Sequence, residues 1–230
     1  MPAVDLQADR AQALALVSVS RETELRIELF AQLLFLWNEK ISLIGPSTAA
    51  KVWTRHIADS LQLLPLVPGA ETWLDVGSGA GFPGMVIACA LAGRPGTIVH
   101  LVESNARKAT FLREAIRLTK VRAQVHNLRI EQLNIHSSVN GKIDVVTARA
   151  VAPLTRLLDY AEPYLARGAR GLFPKGQNVE HELAEASTGW NIDAELIPSL
   201  TDEQGRIVLV RQAQRIRRPG SANRVDVGTS

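Results

Sequence analysis

The sequence predicts an α/β chain: a seven-stranded, mostly parallel, doubly wound sheet behind an N-terminal helical extension. Three observations predict it. From Thr72 onward, short apolar runs alternate with helical patterns. The runs are apolar throughout, as strands covered on both faces are. A Gly-rich stretch, Asp75–Gly84, separates the first run from the next helical pattern, where a doubly wound sheet binds its ligand.

The elements follow in order. Residues 1–70 read as a helical extension. Leu25, Leu29, Leu33 and Leu36 recur at helical spacing within Glu22–Lys40. After a break at Gly45-Pro46-Ser47, Ser47 can cap a helix carrying Val52, Ile57, Leu61 and Leu64 into Pro65. The main domain spans 71–212. Its expected strands are Thr72–Val76, Ile98–Glu103, Ala123–Asn127, Ile143–Thr147, Gly171–Pro174, Trp190–Ile197 and Arg206–Arg211. Helices are expected near Gly84–Leu91, Asn105–Leu118, Leu154–Leu165 and Val179–Ala186. No crossover helix fits between the last two strands, so they should form a hairpin and bring an antiparallel strand into the sheet. Residues 213–230 lack apolar periodicity and read as a loose basic tail.

Composition narrows the function. The 230 residues are 46% hydrophobic and 21% charged, an ordinary globular balance. The single cysteine, Cys89, rules out an intrachain disulfide or a Cys-based zinc site. The five histidines show no metal-ligand spacing, so no metal is expected. No run approaches the ~20 apolar residues of a membrane span. Acids at Asp5 and Asp9 do not suit a signal peptide, so a cytoplasmic location is expected. The net charge of +3 is unevenly spread. Glu103–Arg149 carries nine Lys/Arg against four acids, and Gly205–Ser230 carries six Arg against one. Two such regions are a candidate footprint for a polyanion.

The loop reads Asp75-Val76-Gly77-Ser78-Gly79-Ala80-Gly81-Phe82-Pro83-Gly84. Gly79, Gly81 and Gly84 satisfy the dinucleotide G-x-G-x-x-G pattern, so NAD is a rival ligand. Asp75 argues against it, because an acid facing the cofactor would repel a pyrophosphate. S-adenosylmethionine carries an ammonium and a sulfonium instead, and Asp75, Gly77 and Gly79 suit it. Glu103, at the end of the second strand, can accept both ribose hydroxyls in either cofactor class. Ile130 and Glu131, after the third strand, lie where a backbone N–H and a carboxylate could read an adenine edge.

Methyl transfer from a sulfonium mainly requires alignment and exclusion of water. Cys89 lies on an apolar helix and reads as core, which disfavours carbon-5 methylation of a pyrimidine. The segment after the fourth strand, Thr147–Pro153, is not the Asn/Asp-Pro-Pro-aromatic loop of exocyclic-amine enzymes. A ring nitrogen such as guanine N7 needs no deprotonation, consistent with the lack of an obvious base. Arg149, Lys175 and His56 are the candidate catalytic residues. Arg149 could hold the cofactor carboxylate or a guanine O6/N7 edge. Lys175 could reach a phosphate. Arg55 and Asp59 are spaced i,i+4 and can pair beside His56, itself more typical of a structural than a catalytic histidine.

These residues carry a resemblance. Trp37-Asn38, Arg55-His56-Ile57-x-Asp59-Ser60, the Asp75–Gly84 loop, Lys108-x-x-Phe111-Leu112-Arg113, Arg149-Ala150 and Lys175-Gly176-Gln177 resemble the bacterial ribosomal RNA small subunit methyltransferase G family, or glucose-inhibited division protein B. The likeness covers roughly Leu36 to Arg211. It implies a Rossmann-like class I methyltransferase fold, S-adenosylmethionine as donor, and N7 of a guanine in 16S rRNA as acceptor. 16S rRNA or the small ribosomal subunit is the implied partner; the resemblance implies no stable protein partner and no membrane. It places cofactor contacts at Gly77, Phe82, Ile130, Glu131 and Arg149; Asp75, Gly79 and Glu103 come from the loop chemistry above. One departure is Ser42-Leu43-Ile44, where the family often has Asn-Leu-Thr. A dinucleotide oxidoreductase and a non-catalytic RNA-binding assembly factor stay open as alternatives.

Overall fold

The computed structural model describes residues 3–133 and 142–216. Seven strands form one sheet: β1 (Thr72–Val76), β2 (Ile98–Val102), β3 (Ala123–His126), β4 (Val145–Thr147), β5 (Arg170–Lys175), β6 (Trp190–Pro198) and β7 (Arg206–Arg215). Their order is β3-β2-β1-β4-β5-β7-β6. The first five run parallel, while β7 is antiparallel to both β5 and β6. All seven expected strands are present, and the expected hairpin places its second strand against β5. β7 runs to Arg215, three residues past the boundary expected at 212. Arg217, Arg218 and Arg224 of the expected tail lie outside the described residues.

Alternate strand residues serve two apolar layers, as period-2 geometry requires. On one face Trp73, Val99 and Leu101 meet α2 (Arg21–Asn38), α5 (Gly84–Leu91) and α6 (Ala106–Thr119). On the other, Leu74, Val76, Val146 and Phe173 meet α7 (Leu154–Leu165) and α8 (Val179–Ser187). α5 is buried on nearly every side, Cys89 included. Burial pushes the Cys89 thiol up to about 12, so it is inert core as expected.

The N-terminal extension departs from expectation in two places. α2 begins at the Ser20 cap, whose hydroxyl accepts the Thr23 N–H at 3.3 Å. Its buried face is Thr23, Ile27, Phe30, Ala31 and Leu34. Three of the four leucines that announce the helix lie elsewhere, Leu25 being 44% and Leu36 60% exposed, while Leu33 packs partly buried against the core. Beyond it, Gly45 rather than Ser47 caps the short α3 (Pro46–Ala49), because Pro46 takes the first helical position that suits its fixed φ. The chain then widens into a π-helical segment, Trp53–Ala58, before α4 (Asp59–Leu61) and a 3₁₀ turn at Leu64–Leu66. A 14-residue helix, α1 (Ala3–Leu16), packs on the π-helical segment. No helix among the described residues is long and apolar enough to cross a membrane.

Candidate active site

The carboxyl ends of β1, β4 and β5 carry the site, as the strand order dictates. The Gly-rich loop leaves β1 with Gly77, Gly79 and Gly81 at φ of +68°, +52° and +90°. A Cβ on Gly77 would lie 2.6 Å from a Val151 methyl, and one on Gly81 would strike Met85 and Phe30 at 2.9 Å. These two glycines are therefore required by both conformation and space. At Gly79 a Cβ would meet only the Gly77 carbonyl, at 3.7 Å, so its outer face is open to a ligand.

Asp75 does not project from the strand end as a free carboxylate. It shares the sheet face of Trp73, which α5 covers, so its side chain runs under the start of that helix. Its Oδ2 accepts the Gly84 N–H at 3.1 Å, and its buried Oδ1 has no partner among the described residues. Burial raises its pKa to about 7; Ser78, Gly84 and Arg149 oppose the shift, and Glu103 adds to it. The charge argument that set S-adenosylmethionine above NAD is correspondingly weaker, since the group is fully buried and burial disfavours its charged form.

Glu103 lies beside the loop. Its Oε2 accepts the Gly79 N–H at 2.9 Å and its Oε1 accepts the Asn105 N–H at 2.6 Å. Each carboxylate oxygen retains a second lone pair, so a diol can still be received there. Together the open Gly79 face and Glu103 fit a ligand with hydroxyls.

Arg149 follows β4 and reaches across to the N-terminal extension. Its Nη1 donates to the Arg55 carbonyl at 2.8 Å and to Asp59 Oδ2 at 3.1 Å. Its Nη2 lies 2.6 Å from His56 Nδ1. Guanidinium can only donate, so His56 Nδ1 accepts and the imidazole proton sits on Nε2, which is buried without a partner among the described residues. Burial, then the charges of Arg149 and Arg55, lower the His56 pKa to about 3. The ring stacks on Phe82 at 4.8 Å, and Arg149 lies 5.4 Å above the same ring. His56 is thus neutral and has its basic nitrogen occupied. This arrangement excludes it as a general base near neutral pH and makes it a support for Arg149.

The expected Arg55–Asp59 pair does not form. The π-helical turn is wider than an α-turn, so residues four apart no longer stack. Arg55 instead pairs with Asp202 at 2.8 Å. Asp59 Oδ1 takes Gln62 Nε2 at 2.8 Å and Thr201 Oγ1 at 3.0 Å, leaving Oδ2 for Arg149.

Lys175 also differs from expectation. It is not a free lysine at a strand end. Its Nζ donates to the Ala152 carbonyl at 2.8 Å and to Glu182 Oε2 at 2.7 Å, and the side chain is only 10% exposed. The same Glu182 oxygen takes the Leu154 N–H at 2.7 Å. Lys175 therefore braces the segment after β4 rather than reaching for a phosphate. Within that segment Ala150 holds a φ of +55°, a left-handed conformation costly for a residue with a Cβ.

Arg149, His56 and Lys175 line one cavity of about 790 Å³, together with Asp59, Val151 and Arg206. Ile130 and Glu131 are not part of it. They form a 3₁₀ turn that lines a second cavity of about 650 Å³ beside α7, where Glu131 pairs with Arg156 at 3.6 Å. Phe82 joins the groups: its buried ring touches His56, Arg149 and Phe30 of α2. Glu182, Gln62 and Thr201 are supports that sequence reasoning did not find; Gln62 meets Leu200, and Thr201 meets Asp59, across more than a hundred residues, and no local pattern marks such partners. No group of His, Cys, Asp and Glu suited to a metal occurs among the described residues.

Comparisons with known proteins agree with this layout. The family described as rRNA small subunit methyltransferase G matches residues 23–208. A protein of that name from Bradyrhizobium sp. strain BTAi1 is 54% identical over 205 residues, covering 89% of this chain and 91% of its own. Another from Methylorubrum populi is 50% identical, covering 90% and 97%. Among solved structures, a putative O-methyltransferase from Klebsiella pneumoniae aligns with a TM-score of 0.59 at 15% identity, covering 90% of this chain and 96% of its own. An O-methyltransferase from Bacillus cereus in complex with SAH aligns at 0.56 and 15% identity, covering 90% and 100%. These last two establish the Rossmann-like class I methyltransferase fold alone. With a match over most of its length and relatives above half identity, the chain belongs to the rRNA small subunit methyltransferase G family.

Proposed function

We propose that this protein transfers a methyl group from S-adenosylmethionine to N7 of a guanine in 16S rRNA, acting in the cytoplasm on the small subunit or its RNA. Family membership over residues 23–208 carries the reading. S-adenosylmethionine, when bound, supplies a methyl already activated on a sulfonium. The chain's own residues have to bind, orient and exclude water. Gly79 and Glu103 offer an open backbone and hydroxyl acceptors for the nucleoside part. Gly77, Phe82 and Arg149 lie toward the reacting end, with Asp75 beneath the loop. Ile130 and Glu131 are the adenine contacts that the family resemblance implies; they line the second cavity, beside α7. The 790 Å³ cavity beside Arg149 and Val151 is the place for the acceptor base. Guanine N7 presents a lone pair without deprotonation. A site whose histidine is neutral and occupied, and whose lysine is ion-paired, suits such an acceptor.

The test is labelled methyl transfer to small subunits from a strain lacking this protein, followed by nucleoside analysis. The expected product is one 7-methylguanosine. Binding of NAD(H) without S-adenosylmethionine would overturn the reading. Binding of S-adenosylmethionine without transfer to subunits or naked 16S rRNA would favour a non-catalytic assembly role.

A further inference from the structure

α1 lies outside the residues that the family matches, yet it is wired into the site. Asp9 on α1 is 7% exposed. Its Oδ2 accepts the Trp53 N–H at 2.7 Å, and its Oδ1 accepts the Thr54 N–H at 3.2 Å and the Thr54 hydroxyl. Trp53 and Thr54 open the π-helical segment that carries Arg55 and His56 and delivers Asp59. The first N–H groups of a helical segment have no carbonyl partner within it. Asp9 receives two of them from a distance of more than forty residues. Its neighbour Arg10 lies 5.3 Å over the Trp53 ring and pairs with Glu24 and Glu28 of α2, which fixes α1 at this spot.

We infer that Asp9 is a positioning residue for methyl transfer: it holds the π-helical register that presents His56, Asp59 and the Arg55 carbonyl to Arg149. The reason is angular. Successive residues of an α-helix differ by about 100° around its axis, so a one-residue change of register would turn these groups away from the guanidinium. The π-turn is the less stable form and needs outside support. Asp9 supplies it where the segment begins. Phe82 then receives the stacked His56 and Arg149 in the orientation seen here. This inference rests on the proposed activity for its consequence, but not for its geometry.

Three full-length proteins test it: the unaltered chain, Asp9→Ala, and Ala13→Gly. Ala13 is buried on the same helix, so Ala13→Gly weakens α1 without touching the carboxylate. Asp9→Ala should lower kcat by ~10-fold or more, with KM for S-adenosylmethionine changed less than ~3-fold, because misplacement acts on the reacting geometry. Ala13→Gly should lower Tm yet keep kcat. Hydrogen exchange over residues 53–60 should accelerate in Asp9→Ala, and the His56 ring nitrogen resonances should shift; both are read without turnover. Asp9→Ala with kcat within ~2-fold of the unaltered chain would overturn the inference. So would Ala13→Gly losing kcat as fully as Asp9→Ala. If the unaltered chain transfers no methyl, the proposed function fails separately. Unchanged His56 resonances and unchanged exchange in Asp9→Ala would then overturn this inference, and their change would uphold it.

Discussion

Asp75 combines full burial, one satisfied oxygen and one unpartnered oxygen. Its pKa rises from an ordinary 3.8 to about 7, chiefly through burial. A carboxyl whose folded pKa is raised stays protonated while the unfolded chain ionises. Its contribution is therefore greatest below pH 3.8 and is lost as pH climbs through about 7. Asp75→Asn keeps an acceptor for Gly84 and cannot ionise. At pH 8 it should be more stable than the unaltered chain by on the order of 2–4 kcal/mol, the difference vanishing below pH ~4. Urea unfolding across that range measures it, and parallel pH slopes for the two proteins would refute it. Arg149 poses the complementary case. Its guanidinium spans the Arg55 carbonyl, Asp59 and His56 at once. An ammonium is a point charge that cannot bridge the three. Arg149→Lys should lower kcat by ~10²-fold with the fold retained by circular dichroism. Undiminished turnover would mean that the guanidinium fork has no part in alignment.

At the level of elements, α2 separates what a sequence announces from what it buries. Ile27→Ala, which empties a fully buried site, should cost about 2–5 kcal/mol, whereas Leu25→Gln on the exposed side should stay within ~0.5 kcal/mol. Equal costs in chemical denaturation would show that the exposed leucines are covered in solution. The exposed Leu25, Leu29 and Leu36 have helical spacing, and so do the buried Ile27, Phe30, Ala31 and Leu34; periodicity identifies the helix without choosing between its faces. The strands are legible because each is a short apolar run whose two faces are both covered. The glycine loop is legible because its φ angles demand glycine. The π-helical segment is not, since it depends on Asp9 more than forty residues earlier. Nor are the pairings of Gln62 with Leu200 and of Asp59 with Thr201. Motifs list residue types at short spacing, and these contacts exist only once the sheet has brought β4, β5 and the β6–β7 turn beside the N-terminal extension.

For the whole molecule, the question is which surface meets RNA. The sequence offers two basic regions, and the structure treats them differently. In the C-terminal region Arg206 donates to the Glu203 and Gly205 carbonyls, Arg211 pairs with Asp193 and Glu195, and Arg215 pairs with Asp159 and Glu162 while stacking over Trp190. Those three arginines already have partners within the fold. On α6 the apolar side, Ala109, Phe111, Leu112 and Ala115, faces the core, which turns Arg107, Arg113 and Arg117 to solvent with Lys120 and Arg122 beyond. Among the described residues, Arg117 is the one outward arginine of α6 held in an ion pair, to Glu114 at 2.6 Å. α6 starts three residues after Glu103, so its basic face leads away from the proposed nucleoside site, Arg107 lying in the first turn. Each phosphate contact releases counterions, which makes affinity fall with salt in proportion to the number of contacts. Arg113→Glu should weaken binding to 16S rRNA and reduce the slope of log affinity against log salt by about 1. Arg117→Glu should do less, because Glu114 already offsets that charge. Arg211→Glu, placed among its acids, should leave the slope unchanged and register in stability instead. A salt titration of the three proteins decides the matter: a slope that follows Arg211 rather than Arg113 would move the RNA from α6 to the β6–β7 edge of the sheet.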